Sequence, residues 1–301
     1  MTTRSNKPGI LKLTAAAGLL TALLPLAAAA GESIDRTLEM SPDGTVVVEN
    51  LAGSIEFSTW DRAEVQVRGE AGDDVKEVEI STTSSGVQVR VRNKKGQRHV
   101  DDTSLYLKIP DAASIEAESV SADISVDGGR GESLTLETVS GDLEVESDSG
   151  RIELSSVSGD IEFEGNSSRT AAESVSGDVT LVGVTGEVSA STVSGDLSLD
   201  ANAVSRGRFE SVSGEMTLSL SVAAGGRLQC DSMSGDITLR LPGSQEAEFV
   251  AQSYSGGIRS DFGDASGVER EPGVVLRHRE GDSGTEIRLE TFSGDISIRK
   301  R

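Results

Sequence analysis

The chain has 301 residues, with 50 acidic and 28 basic side chains and a formal charge of −22. That acidity excludes a direct grip on nucleic acid or anionic lipid, since both need a positive surface. Aromatics make up 3%, too few for a base-stacking platform; the single cysteine, Cys230, excludes an intramolecular disulfide or thiolate cluster, and two histidines, His99 and His278, are no basis for a multi-histidine metal site.

The amino-terminal segment reads as an export signal. Arg4, Lys7 and Lys12 form a basic start, Leu13 to Ala27 is apolar, and Ala28-Ala29-Ala30 offers the small-x-small pattern of a signal peptidase site. Cleavage is expected after Ala30, and Pro25 with the Ala-rich end makes the apolar run short for a membrane span. Losing three cations takes the charge from −22 to −25. The expected location is periplasmic or secreted, with no membrane insertion after cleavage.

From about residue 111 a repeat organises the chain. Ser-Gly-Asp or Ser-Gly-Glu recurs at Ser140, Ser158, Ser176, Ser194, Ser213, Ser234 and Ser293, with degenerate copies at Ser121 and Ser255. The steps are 19, 18, 18, 18, 19, 21, 21 and 38 residues, the length of one β-solenoid coil. Six and four residues before the Ser lie apolar columns such as Leu134, Ile152, Val188 and Leu136, Leu154, Phe209; three and five after lie Leu143, Ile161, Val179 and Val145, Phe163, Leu181. Polar residues alternate with them, which is the mark of a strand with one buried face. Each coil therefore carries two short strands joined at the Ser-Gly-Asp corner, and stacked coils bury one another's apolar faces. Cys230 falls in an inward column, so it reads as a small inert hydrophobe. Length variation falls between the second strand and the next first strand, and that edge is expected to carry function.

Residues 31–110 alternate without the period. Strands are expected at Val46 to Glu49, Ser54 to Phe57, Glu64 to Val67, Glu77 to Ile80, Val87 to Val91 and Leu105 to Ile109, forming an N-terminal β cap. Residues 111–301 are the solenoid, of about nine coils, with a loop or hairpin excursion at about 260–284 that includes a strand near Val274 to Arg277.

The segment Val48 to Phe57, then Trp60-Asp61 and Glu64 to Val67, resembles the opening of the bacterial putative-adhesin family, an exported β-strand-repeat domain of unknown function. Thr291 to Ile296 is similar to that family's last repeat. The resemblance spans about 40–301 and implies a β-solenoid at the surface or envelope. It brings no catalytic residues.

The corner Gly is expected to supply positive φ for a tight turn. The hydroxyl column two before the Ser, including Thr138, Ser156, Ser174 and Thr192, is expected to hydrogen-bond corner backbone groups. Asp142, Asp160, Asp178, Asp196 and Glu215 should stack as an acid ladder. Unit charges about 4.8 Å apart repel by about 0.9 kcal/mol in water. Bonds to turn amides would offset this, and Ca²⁺ is the alternative. Only one corner per coil carries the motif, whereas calcium-binding solenoids need two, so capping is the favoured reading. No catalytic motif is recognisable, and His278, beside Arg277 and Arg279, reads as solvated.

The sequence thus predicts an all-β protein, a parallel β-solenoid with an N-terminal β cap. It is expected to be monomeric, cofactor-free and non-catalytic, an adhesin-like binding or scaffold module for an envelope protein or glycan. Two alternatives belong to other classes: a carbohydrate-active β-helix enzyme, and a self-assembling element similar to bactofilins.

Overall fold

Strict aliphatic–polar alternation can be satisfied only where every strand has one dry face. The chain meets that demand by coiling. The computed structural model describes residues 26–28, 33–94, 101–264 and 273–301, and these contain twenty-three strands and no helix. In the central coils the first strands, Ser133–Thr138, Arg151–Ser156, Arg169–Ser174 and Gly186–Thr192, pair in parallel and in register. The second strands, Leu143–Glu146, Ile161–Glu164 and Val179–Val182, do the same on the facing sheet. Two long sheets result, joined along one side by the Ser-Gly-Asp corners and along the other by back turns. Longer strands such as Thr45–Trp60 and Met216–Ser232 bend from one sheet into the other.

Register stacks like on like. Leu143 pairs with Ile161, Ile161 with Val179 and Val179 with Leu197, while Val145, Phe163, Leu181 and Leu199 form the parallel row. These side chains belong to one hydrophobic core that runs from Ile34 to Ile298. Aliphatic rows fill most of the narrow space between the sheets, and Phe57, Phe163, Phe209 and Phe249 are fully buried among them. This is how so few aromatics suffice.

The coils do not all stack in sequence order. Glu286–Thr291 inserts between 227–232 and Ala247–Ser253. Ile296–Lys300 likewise lies between Ile237–Leu241 and Ile258–Ser260. The last repeat therefore sits one coil inside the end. The other end mirrors this: Thr45–Trp60 lies between 114–127 on one side and Gly86–Asn93 with Thr103–Pro110 on the other. The region expected as a cap so contributes two further coils to the nine that the motif marks.

Antiparallel strands close the ends. Val75–Thr82 covers Gly86–Asn93, Glu64–Glu70 covers Thr103–Pro110, and Ser33–Glu39 lies outside Glu64–Glu70. At the far end Val274–Glu280 returns against Ala247–Ser253, so the expected excursion is in part a hairpin. Antiparallel closure and the three-residue strand Ile258–Ser260 shorten the free edges that stacked parallel strands would otherwise expose. Of the expected export signal, only Leu26–Ala28 is described, paired with Val78–Ile80; the rest of 1–30 lies outside the described residues, as does His99.

Candidate functional site

The corner edge is the most regular surface of the molecule. Strand parity fixes what it presents. Positions six, four and two before the corner Ser face inward, so the residue one before it faces out. That residue is Val120, Val139, Val157, Val175, Val193, Val212, Met233 and Phe292 in successive coils of the stack. All are exposed, from 40% at Val212 to 62% at Phe292. Leu51, opposite Val120 in the register, extends the row at one end, and Tyr254 extends it at the other. The Tyr254 and Phe292 rings stack with centroids 5.9 Å apart. The result is an apolar ridge across ten coils, about 43 Å long at a strand spacing of about 4.8 Å. Scattered surface hydrophobes need no explanation, but a continuous exposed row does.

The hydroxyl column beneath the ridge behaves as its sequence implies. Thr138, Ser156, Ser174 and Thr192 accept the amides of Gly141, Gly159, Gly177 and Gly195 at 3.1, 2.8, 2.9 and 3.0 Å. Thr192 also donates to the Gly177 carbonyl of the preceding coil at 3.3 Å. Each hydroxyl closes its own corner, and several also bind the corner to its neighbour.

The corner glycines serve a different end from the one expected. Positive φ occurs at Gly53, Gly128, Gly129, Gly165, Gly183, Gly186 and Gly225 among others, and at none of the Ser-Gly-Asp or Ser-Gly-Glu corners. Instead, a Cβ placed at Gly159 would lie 1.8 Å from the Gly141 carbonyl oxygen, and one at Gly177 would lie 2.0 Å from that of Gly159. Glycine is required because successive coils touch backbone to backbone there. Left-handed glycines such as Gly128, Gly165 and Gly183 belong to the opposite edge, at the back turns, while Gly53, in the Leu51 copy opposite Ala122, is left-handed at the corner edge.

The acids form the expected ladder. Asp123 Oδ1 accepts the Asp142 amide at 3.0 Å, Asp142 that of Asp160 at 2.9 Å, Asp160 that of Asp178 at 2.8 Å, Asp178 that of Asp196 at 2.7 Å, and Asp196 that of Glu215 at 2.8 Å. The ladder resumes where Asp236 accepts the Asp295 amide and Asp295 accepts that of Gly257, each at 2.7 Å. Each of these aspartates is thus bonded to the coil stacked on it, and Glu215 joins the ladder through its amide. Among the described residues, no three His, Cys, Asp or Glu side chains converge as a metal site.

At the Leu51 end the ridge runs into a groove beside Asn50 and Asn93. Asn50 is 4% exposed and donates to the carbonyls of Ala52 and Thr103 at 3.1 and 3.0 Å. Its Oδ1, and both polar atoms of the Asn93 amide, are buried without a partner.

The remaining candidates lie apart. Cys230 is fully buried in its inward column; burial pushes its thiol pKa well up, and Asp231 adds to this. His278 stands on the edge strand Val274–Glu280, half-buried, with Nε2 3.1 Å from Glu280 and its ring 6.4 Å from Phe249. Arg208 pairs with Glu210, and Arg259 with Asp295 at 3.3 Å. None of these gathers into a catalytic cluster.

The ridge was not foreseen. Its signal was nonetheless present: one outward column that is apolar in all ten copies, from Leu51 through six valines to Met233, Phe292 and Tyr254.

Comparison with known proteins supports the architecture. The chain is similar to the structure of a putative adhesin from Parabacteroides merdae, with 11% identity, TM-score 0.56, and 90% of this chain and 97% of that one covered. It is also similar to a putative lipid binding protein from Parabacteroides distasonis, with 13% identity, TM-score 0.52 and coverages of 90% and 97%. At such identities the likeness is one of fold. No curated protein matches the chain. The Toastrack DUF4097 family model matches residues 42–215 and again 187–299, so the chain belongs to the Toastrack DUF4097 family.

Proposed function

We propose that this protein is a non-catalytic binding or scaffold module, exported to the cell envelope, and that the corner edge is its contact surface. The carrying observation is the apolar ridge, which nine coils hold in the open at constant spacing, with the half-buried Tyr254 at its end. A solenoid can rotate outward polarity onto any column, so an exposed aliphatic row kept coil after coil has a use outside the core. The binding-protein descriptions of the similar structures support this class of function. Rigidity supports it too: the edge is pinned by hydroxyl, carboxylate and backbone bonds at each step, so little ordering entropy is lost when a partner docks.

Export rests on the basic start, the apolar run and the Ala28-Ala29-Ala30 site. Expression of the full chain in a bacterial host, followed by mass measurement of the extracytoplasmic product, is expected to give a mature form beginning at Gly31. Retention of an uncleaved chain in the cytoplasm would overturn export. For the surface, Val157→Ser with Val175→Ser is expected to lower binding of the protein to isolated envelope fractions at least tenfold while leaving the melting temperature within a few degrees. Unchanged binding would move the contact surface elsewhere.

A further inference from the structure

The charges beside the ridge specify its occupant. From three residues before the corner Ser to two after it, the ten copies contain no Lys or Arg. On one side of the ridge stand Glu118, Glu137 and Glu173, about 7 Å along the strand from the apolar row. On the other runs the ladder from Asp123 through Asp178 to Glu215. Arginines reach parts of this edge, as with Arg90 on Glu49 at 2.6 Å and Arg208 on Glu210. Glu118, Glu137, Glu173, Asp142, Asp160 and Asp178 make no ion pair among the described residues. Their potential adds to that of a chain with net charge −22.

We propose that the corner edge binds a cationic amphipathic segment, with the segment's apolar stripe laid on the ridge and its Lys and Arg side chains reaching the acid rows on both flanks. This rests on the reading of the corner edge as the contact surface and names its partner's chemistry. The pattern selects against the other occupants. A second copy of the chain would bring acid row against acid row. An anionic bilayer would be repelled. A neutral glycan usually needs ring platforms, and the ridge offers such a pair only at Tyr254 and Phe292. A basic amphipathic chain meets both the apolar and the charged demand at once. The groove at the Leu51 end adds the carboxylates of Glu49 and Glu118 beside Leu51 and Val120. The groove's two cations are already occupied, Lys76 with Glu77 at 2.8 Å and Arg92 with Glu79 at 2.9 Å.

The test uses a fluorescent 18-residue Lys/Leu peptide with helical amphipathic spacing, titrated against the purified full chain. A Glu/Leu peptide of the same pattern and neutral phosphatidylcholine vesicles are the comparison probes. The Lys/Leu peptide is expected to bind, the Glu/Leu peptide not, and affinity should fall at least tenfold between low and moderate salt. Val157→Ser with Val175→Ser should weaken binding about tenfold. So should Asp160→Asn with Asp178→Asn, which keeps the amide bonds and removes only charge. Equal binding of both peptides, preference for the vesicles, or loss with the charge variant but none with the ridge variant would overturn the proposal. If the ridge variant loses envelope binding yet the wild-type chain ignores the Lys/Leu peptide, the surface stands and the occupant is wrong. If the ridge variant affects neither, the surface itself is wrong.

Discussion

The two long edges of the solenoid solve the same problem, reversing the chain between facing sheets, in opposite ways. At the corner edge the coils stack without slippage: the amides of Ser158, Ser176, Ser194 and Ser213 bond the carbonyls of Val139, Val157, Val175 and Val193 at 2.9 to 3.0 Å. At the back edge the turns differ from coil to coil. Register shifts fall there, between Gly186 and Glu187, Asp200 and Ala203, and Val204 and Arg206. Left-handed glycines such as Gly128, Gly165 and Gly183 occur there as well. Close backbone approach at coil after coil forbids insertion at the corner edge, while the back edge, tight at Gly165 but open at Gly150, absorbs it. A straight row of side chains can be kept only on the first kind of edge, and the ridge lies there, across the solenoid from the variable edge.

The sharpest way to break this contrast is a pair of glycine substitutions. Gly159→Ala puts a Cβ 1.8 Å from a backbone oxygen, whereas at Gly150 the nearest atom, the Glu132 oxygen, is 3.2 Å away. Thermal melts are expected to show a loss of about 3 kcal/mol for the first and under about 1 kcal/mol for the second. Equal losses would erase the distinction between the edges.

Next in size is Ser174→Ala, which strands the buried Gly177 amide and should cost about 1–2 kcal/mol by denaturant titration. The back-edge end of the same strand gives the opposite sign. Thr170 is 1% exposed between Ile152 and Val188, and its Oγ1 has no partner. Thr170→Val is therefore expected to stabilise by about 1 kcal/mol, and a loss of stability there would point to an unseen partner for that hydroxyl.

The smallest effects concern the acid ladder. Asp178→Ala removes the acceptor of the Asp196 amide and should cost about 1 kcal/mol, while Asp178→Asn keeps an acceptor, relieves repulsion and should be near neutral. A chelator should leave the melting temperature of the wild type unchanged. A drop of several degrees would make the corner row a cation site.

Much of this was legible in the sequence because a solenoid repeats its own evidence. Columns such as Leu143, Ile161 and Val179 declare the inward face, and Thr138 with its copies declares the capped corner. Three things were not legible. The reason for Gly159 lies in contact with another coil, and spacing within one coil cannot distinguish crowding from left-handed φ. The ridge was passed over because Val157 sits between a buried hydroxyl and an exposed one, outside both strand columns. The stacking order was hidden because coils of near-equal length and like-on-like rows are interchangeable: nothing local in Ile287, Leu289 or Ile296 says that they pair with Leu228, Cys230 and Ile237 as well as with the coil that precedes them in the chain.

That exchanged order has a mechanical meaning. In a solenoid whose first and last rungs are also first and last in the chain, a pull on either end unzips one rung at a time along a single row of bonds. Here Ile296–Lys300 is bonded to Ile237–Leu241 on one side and to Ile258–Ser260 on the other. Thr45–Trp60 is held on both sides in the same way. Tension applied through these strands loads two rows together, in shear. At the carboxyl-terminal end a pull therefore meets a latch rather than a loose thread, whereas at the other end it first meets Ser33–Glu39 on its row of bonds to Glu64–Glu70.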